Sequence, residues 1–138
     1  MIQQEADNSM RGAKLEKWER RLKTVFDRVD DALEEKYGDA FPLRPNRAER
    51  GETTSKSHSG LFSVGGKFSL GLGSKHGAGY IVDVRLSTLK RIPAETREAI
   101  YEDAQQWLKQ ELEREFPETD LDLVRDGNVF RITGDFSL

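Results

Sequence analysis

The chain has 138 residues, 36% of them hydrophobic and 34% charged, with a formal net charge of −3, two histidines and no cysteine. That is the size of one domain with one modest core. It excludes a disulfide framework, a thiolate metal site and a cysteine nucleophile, and no stretch approaches the ~18 unbroken apolar residues of a membrane span.

Residues 1–10 have neither the basic start and apolar run of a secretory signal nor a myristoylation pattern. They read as a flexible N-terminus preceding a single domain over 11–138, expected in the cytoplasm. From Arg11 to about Tyr37, Leu15, Trp18, Leu22, Val25, Val29 and Leu33 recur at threes and fours, the spacing of one helical stripe. Gly38 suits the end of that helix. Its charge runs against the helix dipole: Arg11 to Lys23 holds six basic and two acidic residues, Thr24 to Asp39 two basic and six acidic. An antiparallel copy of the same helix would offset this polarity, as would within-helix pairs such as Glu16 with Arg20. Leu15, Trp18, Leu22 and Val25 are therefore the candidate seam of a homodimer formed through helix 11–37. The rival is a stripe that covers the chain's own sheet. Asp30-Asp31 and Glu34-Glu35 read as solvated charge, with no burial to separate their pKa values.

Residues 39–60 carry two prolines, two glycines and almost no apolar periodicity, and read as a long basic loop. Loops of this length tend to be functional or disordered. Arg44, Arg47 and Arg50 recur every third residue beside Pro42 and Pro45, so an extended polyproline-like segment would present one arginine stripe. Pro42 to Arg47 also spells P-x-x-P-x-R, a weak SH3-ligand pattern. The Gly51 to Ser57 stretch has Lys56-Ser57 where a phosphate-binding loop would, but lacks its glycines and the following helix.

Strand signals follow. Leu61–Val64 and Lys67–Gly73 flank Gly65-Gly66, a dipeptide suited to a two-residue hairpin, and a third strand is expected from Gly79 to Ser87. Phe68, Leu70, Leu72, Val82, Val84 and Leu86 alternate and should face the core. The Gly71 to Gly79 segment, with Lys75 and His76, resembles a phosphate-cradling loop, but its spacing misses G-x-G-x-x-G and no helix follows. Ser87 and Lys90 match S-x-x-K without the partner motifs of that enzyme class. His58 and His76 lie near basic residues, which favours anion contact over metal ligation.

Pro93 opens a second helix whose stripe is Ile100, Ala104, Trp107, Leu108 and Leu112, and Pro117 closes it. In Leu121 to Thr133 the Asp126-Gly127 dipeptide signals a hairpin that would set Leu121 opposite Ile132, Leu123 opposite Phe130 and Asp122 opposite Arg131. The order α-β-β-β-α-β-β predicts an α+β fold, an antiparallel sheet of four or five strands with two helices packed on one face.

Charge is strongly segregated. Phe41 to Arg91 holds nine basic against three acidic residues, and Ile92 to the C-terminus five against twelve. The expected function is a non-catalytic binding or adaptor protein whose basic surface meets an anionic ligand, a nucleic acid or an acidic protein, with no cofactor, metal or membrane. Arg44, Arg47, Arg50, Lys56, Lys67, Lys75 and His76 are the candidate anion-binding residues. Element order and acidity are similar to those of type III secretion chaperones, a resemblance that implies a small acidic homodimer binding another protein. A phosphate-handling enzyme, resting on the glycine loop, is the third reading.

Overall fold

The computed structural model describes residues 2–71 and 77–134, with side chains from residue 12 onward. Helix α1 spans Ile2–Tyr37. It begins well before Arg11, because good helix formers (Gln3, Gln4, Glu5, Ala6) precede it and neither glycine nor proline interrupts before Gly12. Strands β1 (Phe62–Ser69) and β2 (Gly79–Leu86) follow, then helix α2 (Ala94–Glu115) and strands β3 (Leu121–Asp126) and β4 (Val129–Gly134). All neighbouring strands are antiparallel, in the order β1-β2-β4-β3. The fold is α+β with four strands, in the order α-β-β-α-β-β.

Alternation along the strands gives the sheet one dry face. Phe62 and Val64, Tyr80, Val82 and Val84, and Phe130 and Ile132 are buried, as are Leu22, Val25, Val29 and Leu33 of α1 and Ile100, Ala104, Leu108 and Leu112 of α2. The other face, with Lys67, Arg85 and Val124, lies open. Leu22 and Val25 are spent on the chain's own core, which corrects their assignment to a seam between copies. Trp18 and Leu15 pack at the margin of the same core, Trp18 stacked on Phe116 with ring centroids 4.6 Å apart.

The helices lie antiparallel, and the reversed charge of α1 is met within the chain by α2 and the turn that follows it. Arg21 pairs with Glu118 at 2.7 Å and Glu115 at 3.5 Å, Arg28 with Glu111 at 3.4 Å, and Lys36 with Asp103 at 2.6 Å. Rising numbers on one helix meet falling numbers on the other.

Two turns differ from expectation. Gly65-Gly66 is no hairpin: β1 runs straight through it, in register with β2 from Phe62↔Leu86 to Ser69↔Gly79. The glycines are used for close approach instead, since a Cβ on Gly66 would stand 3.1 Å from Phe26 Cζ of α1. β1 then stops at Ser69, so Leu70 is not in the core but 66% exposed, while Leu72 lies outside the described residues. In the last hairpin Asp126 pairs with Val129, which makes Gly127-Asn128 the loop and moves the partners by two, to Leu123↔Ile132 and Arg125↔Phe130. Gly127 takes φ +63 at the first central position, where glycine costs least. The same residues still face the core, because a shift of two preserves the face.

Candidate functional site

The sequence from Arg44 to Gly60 folds back against α1 and the start of β1. Its Ala48 bridges to Ser59, Gly60 N–H donates to the Ala48 carbonyl, and a short 3-10 turn forms at Lys56–His58. Arg47 organises it, with Nε donating to Gly60 O at 3.0 Å and Nη2 to Ser57 O at 2.9 Å, Phe62 O at 3.1 Å and Ser59 O at 3.3 Å. Arg50 donates to Lys56 O at 2.7 Å and to Asp31 Oδ1 at 2.7 Å, and Lys56 Nζ binds Asp31 at 2.6 Å. Three of the candidate anion-binding side chains thus hold carbonyls and carboxylates of the chain itself.

Their acidic counterpart was expected to be solvated charge, and here the structure corrects the sequence reading. Asp30 is 1% exposed. Its Oδ1 lies 3.0 Å from Arg50 Nη1, a charge contact off the hydrogen-bond axis, and neither oxygen gains a well-aligned bond. Burial is the main cause that pushes its pKa up to about 7; Arg50 and the Val64 amide draw it down, while Glu34 and Asp31 raise it. Asp31 moves the other way: although burial opposes it, hydrogen bonds from Lys56 and Arg50 hold it below the usual carboxylate value. Glu34 accepts the N–H groups of both Leu61 and Phe62. The signal was present in the sequence, since position 30 follows Phe26 by four and precedes Leu33 by three, on the buried stripe.

These carboxylates occupy part of the free edge of β1. In an antiparallel strand a residue's N–H and C=O point the same way, and the direction alternates. Phe62 gives its N–H to Glu34 and its C=O to Arg47, both away from β2, and Val64 turns its N–H toward Asp30. Gly66 is next in this phase, beyond the reach of the acidic cluster.

At Gly66 the edge opens into a groove of about 730 Å³ between α1 and β1, continuing onto the open face of the sheet. Phe26, Gly65 and Gly66 form its base, Glu19, Lys23 and Asp27 its α1 wall, and Lys67, Asp83 and Arg85 its far side. Lys23 and Asp27 are paired at 2.9 Å, and Arg85 and Asp83 at 2.6 Å. Tyr80 also lines it; burial, reinforced by the Glu19 charge, pushes its pKa up to about 12, so it stays a neutral phenol. The groove offers backbone hydrogen bonds, an apolar base and charges of both signs.

The remaining candidates scatter. Lys67 is in the groove. Arg44 is at the opposite end of β1, exposed, its N–H on Ser87 O and so beside the turn that carries exposed Leu89, Lys90 and Arg91. Lys75 and His76 lie outside the described residues. The five described positions do not all converge on one site. Among the described residues no group of three or more His, Asp or Glu side chains could hold a metal ion, and no helix is long and apolar enough to cross a membrane.

A family model described as "Uncharacterised protein" matches residues 13–134, from the middle of α1 to the end of β4. The chain is also similar to an uncharacterised protein of Borreliella burgdorferi, 36% identical over 108 residues, which are 78% of this chain and 84% of the relative. No solved structure matches.

Proposed function

The chain belongs to that uncharacterised family, and from the geometry of its own residues we propose that it is a non-catalytic binding protein that takes an extended polypeptide segment along the exposed part of the β1 edge. The observation that carries this reading is the groove at Gly65-Gly66, where the strand has no side chains, the Gly66 backbone points outward, and α1 supplies a second wall. An added strand would gain main-chain hydrogen bonds from the edge and specificity from the flanking side chains. The charges on both walls suit a polypeptide of mixed sequence better than a polyanion, which the acids Glu19, Asp27 and Asp83 would repel.

Selection from a displayed peptide library tests it. Gly65→Val adds bulk where a Cβ meets nothing within 4 Å, so it should fold normally and enrich no peptides that wild type enriches. Equal enrichment by both proteins would refute the groove. A second reading, contact with an anionic partner, is supported by Arg44, Lys90 and Arg91, which are exposed and in no ion pair among the described residues. Reversing those three charges should abolish retention on heparin at low salt if that reading holds. Failure of wild type to bind heparin would dismiss it.

A further inference from the structure

We propose that the groove selects a segment carrying an acidic and a basic residue at neighbouring positions, the acid set against Lys67 and the base against Glu19. The inference rests on the reading of the groove as a strand-binding site and gives that site its specificity.

The placement follows from the way α1 and β1 run past each other. Glu34 holds the Phe62 N–H, Asp30 stands against the Val64 N–H, and Phe26 lies against Gly66. Four residues of helix advance about 6 Å and two of strand about 6.6 Å, so the two elements stay in step while running in opposite directions. The next step brings Leu22 level with Phe68, and Glu19 follows just beyond it on the same wall of the groove. Glu19 precedes Asp30 by 11 positions, about three helical turns, and so leaves α1 on the side that Asp30 presents to the edge.

Side chains of β1 alternate about that edge. Phe62 and Val64 are buried on the dry face, so Gly66 and Phe68 share it, and the Phe68 ring meets Tyr80 with centroids 5.5 Å apart. Lys67 is on the open face. A strand added at this edge alternates in the same way. Its residue across from Phe68 points to the α1 side, toward Glu19, and its residue across from Lys67 points to the open side. Those two residues are consecutive.

Charge then selects their signs. Lys23 is matched by Asp27 at 2.9 Å, and Arg85 by Asp83 at 2.6 Å. Glu19 and Lys67 are exposed and in no ion pair among the described residues. They are the unmatched charges of the groove, opposite in sign and on opposite faces of the edge. A polyanion would satisfy Lys67 and be repelled by Glu19, whereas an acid with a base beside it satisfies both.

The test is selection from a displayed peptide library by wild type and charge-reversed variants, whose altered side chains are exposed and leave the circular dichroism unchanged. Wild type should enrich peptides with adjacent acidic and basic residues. Lys67→Glu should enrich two adjacent bases, Glu19→Lys two adjacent acids, and the double variant an opposite pair in reversed order. Reversal turns one exposed pair into a repulsion, so a peptide selected by wild type should bind either single variant on the order of 3- to 10-fold more weakly. That difference should vanish in about 1 M salt. Enrichment that Gly65→Val abolishes but that lacks the acid and base pair, or the same pair enriched by every variant, would overturn the proposal and leave the groove reading standing. No enrichment by wild type, or enrichment unchanged by Gly65→Val, overturns both. A wild-type dimer that Gly65→Val converts to a monomer would assign the groove to a second copy and overturn the proposal as well. Should a variant fail to fold, the wild-type consensus and Gly65→Val still decide.

Discussion

Replacing Arg47 by alanine measures what holds the basic segment in place. Its guanidinium addresses four carbonyls, but Nη2 has only two protons for three of them, so about three well-formed bonds operate at once. Hydrogen bonds from a charged donor contribute roughly 1.5–3 kcal/mol each, and water replaces part of that wherever it can enter. Water reaches Ser57 O, on the half-buried turn, more readily than Ser59 and Phe62, which are buried. Arg47→Ala should therefore cost about 3 kcal/mol, a large share of the ~5–15 kcal/mol that holds a domain together. Arg47→Lys keeps the charge but loses the planar fork, and should cost about 1–2 kcal/mol. Urea unfolding followed by circular dichroism would show this as a lower midpoint at unchanged slope. If Arg47→Ala stays within about 0.5 kcal/mol of wild type, Arg47 is a solvated arginine and the account of the segment fails.

Trp18→Asp removes the stack on Phe116 and should destabilise the chain by about 2–4 kcal/mol; a fully stable variant with halved mass in light scattering would restore a seam between copies. Gly66→Val should lose about 1–3 kcal/mol, because its Cβ would press on Phe26 and on Ile81 O at 3.1 Å, whereas Gly65→Val should be neutral or stabilising in thermal melts. Equal effects at the two glycines would contradict the packing described for β1. Asp103 accepts hydrogen bonds from Lys36 at 2.6 Å and Tyr37 at 2.5 Å; burial opposes its charge, but these bonds hold its pKa below 3.8. Its contribution is thus present above that ordinary value and lost as pH falls through the lowered one. Asp103→Asn should cost about 1–2 kcal/mol at pH 7 and almost nothing in strong acid, and a difference that persists at pH 2 would refute it.

The elements with clean periodicity were legible in the sequence. The stripe of α2, the alternation of β2 and the β3–β4 hairpin each follow from a single local rule, and their core residues are those the spacing selects. Gly65-Gly66 misled because two glycines signal a turn locally, whereas here their use is to admit a phenylalanine 40 positions earlier in the chain. The arginine spacing likewise gave a shared side for Arg47 and Arg50 but not its direction. That direction is set by Asp30, Asp31 and a row of carbonyls, a pairing across distant segments that no local pattern encodes. The polarity of α1 left two accounts open, an antiparallel copy of the same helix and pairs within the helix, and the ion pairs to Glu111, Glu115, Glu118 and Asp103 belong to neither. Which residues would meet it depended on how α2 returns across the sheet.

The acidic lining of the β1 edge bears on how the chain behaves in concentrated solution. A bare edge strand is a template for the same strand of another copy, and β1 carries the apolar residues Phe62 and Val64 that would make such a pairing grow. Glu34 takes the Phe62 N–H, Arg47 takes the Phe62 carbonyl and the buried Asp30 carboxyl stands against the Val64 amide, so the apolar half of the edge is covered from within. Only the glycine-containing half stays accessible, and glycine is a poor seed for cross-strand stacking. Loss of Glu34 would leave the N–H groups of Leu61 and Phe62 without their acceptor and uncover the apolar half of the edge, so that side chain protects solubility as well as the fold.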